Sequence, residues 1–278
     1  MINLPPPTLD PKTVFSLCIS RVRDPALKKR LAKIETEVVQ ASADFALRAA
    51  ATQLHLFPAR PVIKGVTTDE LNAVYTGRMA KKKAPGRGVY DQLFASSPND
   101  RCPLCAQRQV ATLDHHLPKA HFPVLSVTPI NLVPACGDCN KAKLNKLPSA
   151  SSEETLHPYF DDLGTDRWLF AEVVVSTPAA VKFRVEVPPK WDMLLGQRVT
   201  NHFRCFGLST LYAAQAADEL LNIRHQMHLL HDRGGMKAVR DELEQRAESA
   251  KKTQVNSWRS ATFDAFVSSD WFCNGGFA

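Results

Sequence analysis

Apolar residues recur at three- and four-residue spacing after Asp24: Leu27, Leu31, Ile34, Val38, Ala41, Phe45 and Ala49 fall on one helical face. Asp24 followed by Pro25 reads as an N-cap with proline at the first helical position, and Pro58 and Pro61 close the segment. One long helix is therefore expected over residues 24–56. A second is expected from Thr68 to about Met79, and a short one at VYDQLFAS. After the polar linker SASSEE the period changes. WLFAEVVVS and AVKFRVEVP are strand-like runs, and the TPAA between them predicts a hairpin. From Trp191 the helical period returns. LSTLYAAQAADELLNIRHQMHLLHDR is amphipathic and stops at Gly234-Gly235, and further helices are expected over residues 236–250 and 256–268.

The expected fold is mainly α with a small α+β insert, laid out as three stretches. These are a helical N-terminal region (1–95), a central core (96–150), and a C-terminal region (151–278) with the hairpin and then helices. No run of 18 apolar residues occurs, so no membrane span is expected. The opening MINLPPPTLDPK lacks a basic then apolar leader, which makes the cytoplasm the expected compartment.

Charge sharpens the picture of the centre. Between Arg78 and Ala150 there are 11 Lys and Arg against 4 Asp and Glu, which accounts for the whole net charge of +7. A local basic field of this kind favours a polyanion such as nucleic acid. The basic break KKKAPGRG, with Lys81, Lys82, Lys83 and Arg87, is placed to grip a phosphate backbone, and Lys119, Lys141 and Lys143 are further candidate contacts.

Seven cysteines are present, and four form two CxxC pairs, Cys102/Cys105 in CPLC and Cys136/Cys139 in CGDC, with 30 residues between them. Two such knuckles supply the four thiolates that tetrahedral zinc prefers. Structural zinc is expected, clipping together the loop between the pairs. Cys18, Cys205 and Cys273 read as buried small apolar residues. His225, His228 and His231 read as a polar helix face. The interval between the knuckles contains a strand-like LSV (Leu125–Val127) and the crowded segment LDHHLPKAHFP, with one Asp and three His in eleven residues.

The order Cys-x2-Cys, Asp-His-x-x-Pro, Asn-Leu-Val-Pro-x-Cys-x-x-Cys-Asn-x-x-Lys is carried by Cys102, Cys105, Asp114, His115, Pro118, Asn131, Leu132, Val133, Pro134, Cys136, Cys139, Asn140 and Lys143. It resembles the HNH endonucleases that carry a zinc-knuckle frame, over about 50 of the 278 residues. The resemblance implies a ββα-metal core and phosphodiester hydrolysis. In that scheme His115 activates water, Asp114 and Asn140 hold a magnesium or manganese ion, and Asn131 hydrogen-bonds within the loop to fix the His115 ring. Lys143 contacts phosphate or supports the helix. The implied partner is DNA, double-stranded. Chains of this type with large helical extensions also resemble nucleases of bacterial anti-phage defence that work beside an ATPase.

Residue chemistry supports these roles independently. A carboxylate and an amide oxygen suit a hard divalent ion, and a neutral imidazole is a base near pH 7. His116 would point to the opposite face of a strand from His115, and His121 is expected to be peripheral. The alternative that stays open is a zinc-stapled nucleic-acid- or protein-binding module without catalysis.

Overall fold

The computed structural model describes residues 1–144 and 147–278. The described chain is mainly helical, with three two-stranded antiparallel sheets, and none of its helices is long and apolar enough to cross a membrane. It divides into two compact units, Met1–Asp162 and Leu163–Ala278.

In the first unit, Asp10 caps α1 (Pro11–Ile19), its carboxylate accepting from Thr13 N at 2.9 Å. Asp24 caps α2 (Pro25–Lys33) in the same way, with Pro25 in the first turn. The helix expected over 24–56 is two helices. Ile34 leaves helical geometry (φ −101°, ψ 7°) with its side chain fully buried, and α3 (Glu35–Ala50) starts afresh. The new direction brings Glu35 to α1, where it accepts from Ser16 Oγ at 2.5 Å. Strands β1 (Val62–Ile63) and β2 (Val66–Thr67) turn through Lys64 and Gly65, both at positive φ (47° and 79°), the backbone a two-residue hairpin requires. Thr67 and Glu70 then form a capping box that opens α4 (Thr68–Tyr75). The last turn of this helix widens into a π turn, Thr76–Ala80, and α5 (Arg87–Phe94) follows the basic break.

The central segment contributes β3 (Thr112–His115), β4 (Leu132–Ala135) and α6 (Gly137–Lys143). The LSV run is not a strand: Pro123–Leu125 is a 3-10 turn, and Ser126 and Val127 continue as turn. Its apolar side chains are buried there in a core shared by α1, α3, α4 and α5, and that burial mimics the alternation of a strand. Residues from Val14 to Leu132 belong to one hydrophobic cluster, so the helical N-terminal region and the cysteine-bearing segment fold around a common core.

The second unit opens with the expected hairpin, β5 (Leu169–Val174) against β6 (Ala180–Val185), in register Leu169↔Val185 to Val174↔Ala180. Helix α7 (Met193–Cys205) and the long α8 (Leu208–Thr253) follow. Gly235 (φ 62°, ψ −158°) reverses α8, and Arg246 reaches back to donate to Gln226 Oε1 at 2.6 Å. The two arms thus form a helical hairpin, broken where Gly234-Gly235 predicts. Helix α9 (Trp258–Ser268) completes the unit. Of the three lone cysteines, Cys18 and Cys273 are buried as expected, while Cys205, the last residue of α7, is only half-buried.

Candidate functional site

Each cysteine pair is shaped by its own backbone. In the first knuckle Cys102 N donates to Arg108 O at 2.7 Å and Ala106 N donates to Cys102 O at 2.7 Å. Ala106 turns the chain at positive φ (55°), and Arg108 N donates to Cys105 Sγ at 3.4 Å. In the second, Cys136 is the N-cap of α6, and its sulfur accepts from Cys139 N at 3.4 Å. Backbone N–H groups therefore point at one sulfur of each pair. The four sulfurs lie within 4.8 Å of one another, all buried, and Cys105 and Cys136 are 4.0 Å apart. Tetrahedral zinc with Zn–S bonds of about 2.3 Å needs sulfurs about 3.8 Å apart, so the cluster can hold a structural ion with little contraction. Hydrogen bonding from Cys102 holds the Cys136 thiol down to about 7, and the same crowding lowers Cys105 and raises Cys102 and Cys139. Outside the sulfurs, Arg108 Nε and Asp138 Oδ2 pair across the two knuckles at 2.9 Å.

The knuckles frame a strand–strand–helix unit. β3 and β4 pair from Thr112↔Ala135 to His115↔Leu132, and β4 runs directly into Cys136 and α6. Alternation along β3 sends Asp114 and His115 to opposite faces. Asp114 meets α6: Lys143 Nζ donates to Asp114 Oδ2 at 2.9 Å and to His115 O at 2.7 Å. Burial raises the Asp114 carboxyl above its ordinary range, against the attraction of the Lys143 ammonium. Asn140 is half-buried on α6, three residues before Lys143.

His115 turns into the core. Its Nε2 lies 2.8 Å from Ser126 O, and the ring meets Tyr75 edge-on at 4.4 Å between centroids. A carbonyl oxygen only accepts, so Nε2 carries the proton and Nδ1 keeps the basic lone pair. Burial pushes the ring down to about 3 from its ordinary 6.5, which keeps it neutral at pH 7. The loop that supplies Ser126 is tied by Asn131. That fully buried amide accepts from Leu117 N at 2.7 Å and donates to Leu117 O at 3.1 Å and Leu125 O at 3.3 Å. Ser126 is fixed in turn by its hydroxyl, which donates to Leu71 O at 3.1 Å.

Other sequence candidates fall elsewhere. The His116 ring packs against that of His157 at 4.1 Å between centroids, tilted by 35°, and His121 is exposed beside Phe122. Lys81, Lys82, Lys83 and Lys141 are exposed and Lys119 is half-buried. Lys143 is buried on Asp114 rather than offered to phosphate. Arg87 is also committed within the fold: it pairs with Asp91 at 2.7 Å, donates to Ala80 O at 2.6 Å and lies over the Tyr90 ring. Tyr75, Ser126 and His157 were not singled out by sequence. Their part depends on long-range packing that no local spacing signals.

Fold and site together define a mainly helical chain with a buried four-cysteine cluster that can hold zinc, set on a small antiparallel strand pair and helix. The chain is similar to protein ea31 of Escherichia phage lambda, 33% identical over 172 residues, which cover 60% of this chain and 58% of that protein. The match thus spans less than two thirds of that relative's length. No protein-family model and no solved structure matches the chain.

Proposed function

We propose that this protein is a metal-dependent endonuclease of the HNH type that hydrolyses phosphodiester bonds in DNA. The observation that carries the reading is the tautomer of His115. A neutral imidazole with Nε2–H committed to Ser126 O leaves Nδ1 as an oriented base, directly beside the carboxylate of Asp114 in sequence. In this scheme Nδ1 takes a proton from water and the water oxygen bonds to phosphorus. The P–O3′ bond breaks, and the departing 3′-oxygen takes a proton from solvent. Asp114 and Asn140 offer a carboxylate and an amide oxygen, the donor types a hard divalent ion takes. A magnesium or manganese ion held there supplies positive charge against the scissile phosphate and the leaving oxygen. Asn131 and Ser126 keep the ring in place, and the cysteine cluster holds α6, and with it Asn140, against the hairpin.

One arrangement favours a second reading, a zinc-stapled binding module without catalysis. The Lys143 ammonium already neutralises Asp114 in a buried pair. A plasmid-nicking assay separates the two. The nuclease reading expects cleavage that requires added magnesium or manganese and is abolished by His115→Ala in protein that retains zinc. Binding without cleavage under all metal conditions supports the module.

A further inference from the structure

The turn between α1 and α2 and the π turn after α4 face each other across a concavity of about 620 Å³. Six cationic side chains line it: Arg21 and Arg23 from the first turn, and Arg78, Lys81, Lys82 and Lys83 from the second. The lining contains no Asp or Glu. Among the described residues none of the six is in an ion pair, whereas Arg87 next to them is held by Asp91. The two walls are fastened to each other by Arg78, whose Nη1 donates to Arg21 O at 2.7 Å. Gly86 N closes the basic turn on Arg78 O at 2.9 Å, and Lys83 sits at positive φ (64°), so the lysine run is folded back on the groove as a defined turn.

Concentrating six unpaired cations costs free energy through mutual repulsion unless a polyanion neutralises them. Arginine forks match phosphate oxygens in pairs, and lysines supply point charge around them. Duplex nucleic acid presents one phosphate about every 1.7 Å along its axis, the charge density such a groove suits. Arg78 belongs to the π turn that directly follows α4, the helix whose Tyr75 meets the His115 ring.

We propose that this concavity is a sequence-independent phosphate groove that holds the backbone of duplex nucleic acid. It rests on the reading of this protein as one that acts on nucleic acid, and extends that reading to where the polymer is held.

The test measures equilibrium binding of labelled duplexes of two unrelated sequences, as DNA and as RNA, over a salt series without added magnesium or manganese. A protein that never cuts can still pass, and an active nuclease that does not use the groove still fails. Lys81→Gln, Lys82→Gln and Lys83→Gln together, all at exposed positions, are expected to lower the slope of log K against log salt by about 2 to 3 and to weaken binding at least about tenfold at low salt. A control triple, Lys182→Gln, Lys237→Gln and Lys252→Gln, removes the same charge from lysines that each already face a carboxylate, and is expected to leave the slope unchanged. Binding to either duplex with this pattern supports the groove, and the tighter of the two names the polymer. Failure of the wild type to bind either duplex overturns it, as do an equal loss in both triples or equally tight binding of polyglutamate.

Discussion

The Lys143 ammonium donates to Asp114 Oδ2 at 2.9 Å with both side chains buried. The pair joins the last turn of α6 to strand β3, and it places a cation on the carboxylate proposed to hold a divalent ion. Breaking a buried pair from one side leaves an uncompensated charge, which costs about 3–5 kcal/mol. Lys143→Ala is therefore expected to lower unfolding stability by that order in urea titrations of zinc-loaded protein. Combining it with Asp114→Asn is expected to recover much of the loss, because the orphaned charge is then gone. Equal stability of wild type and Lys143→Ala would refute the energetic role of the pair.

Acid should act through His115. Its folded value, about 3, lies below its ordinary 6.5, so the unfolded chain binds more protons between these limits. The stability from burying a neutral ring is fully present above pH 6.5 and is lost as pH falls toward 3. By pH 4 the loss is roughly 3 kcal/mol. Denaturant midpoints from pH 7.5 to 4 should fall more steeply for wild type than for His115→Gln, which has no proton to gain there. Parallel curves would show that the ring does not titrate as its burial requires.

Zinc should be structural. Purified protein is expected to contain about one equivalent, and Cys136→Ala, which removes both a ligand and the side-chain cap of α6, to lose most of it and unfold the first unit. Cys205→Ser should keep the metal, since Cys205 stands outside the cluster. Elemental analysis with circular dichroism reads both, and metal-free protein with native spectra would contradict the assignment.

Asn131 is the tie of the central loop. Replacing it with Ala removes three hydrogen bonds and leaves the N–H and the carbonyl of Leu117 unpaired, while Leu125 O keeps its bond from Thr128 N. A loss of about 2–4 kcal/mol is expected, together with faster amide exchange at Leu117. An Asn131→Ala protein as stable as wild type would show that the loop is held by its apolar contacts instead.

Much of this organisation is legible in the sequence, for identifiable reasons. The cysteine pairs are read from spacing alone because thiolate geometry depends on the short CxxC backbone, and the clustered sulfurs follow. The β5–β6 hairpin and the break at Gly235 are equally local. The single helix expected over 24–56 breaks at Ile34, which spacing alone does not reveal, because an apolar period continues across a kink when both helices bury the same face. Leu125–Val127 read as a strand because a buried turn is as apolar as a buried strand. Charge type is legible in Lys143, but Asp114, which occupies it, comes from tertiary structure, whereas Arg87 is held by Asp91 one turn along its own helix. Arg21 and Arg23 lie far in sequence from the lysine run they face, so only folding assembles that groove.

In the proposed nuclease His115 is the base, and His116 supplies the internal comparison. The two rings are adjacent in sequence, but one is oriented by Ser126 O while the other packs tilted against the His157 ring. The direct measurement is the plasmid-nicking rate with magnesium or manganese for wild type, His115→Ala and His116→Ala, each shown to retain zinc. Expected are nicking by the wild type, a loss of at least about 100-fold in His115→Ala, and a rate within about tenfold of wild type in His116→Ala. Equal rates for wild type and His115→Ala, or a His116→Ala protein as inactive as His115→Ala, would contradict that role of His115.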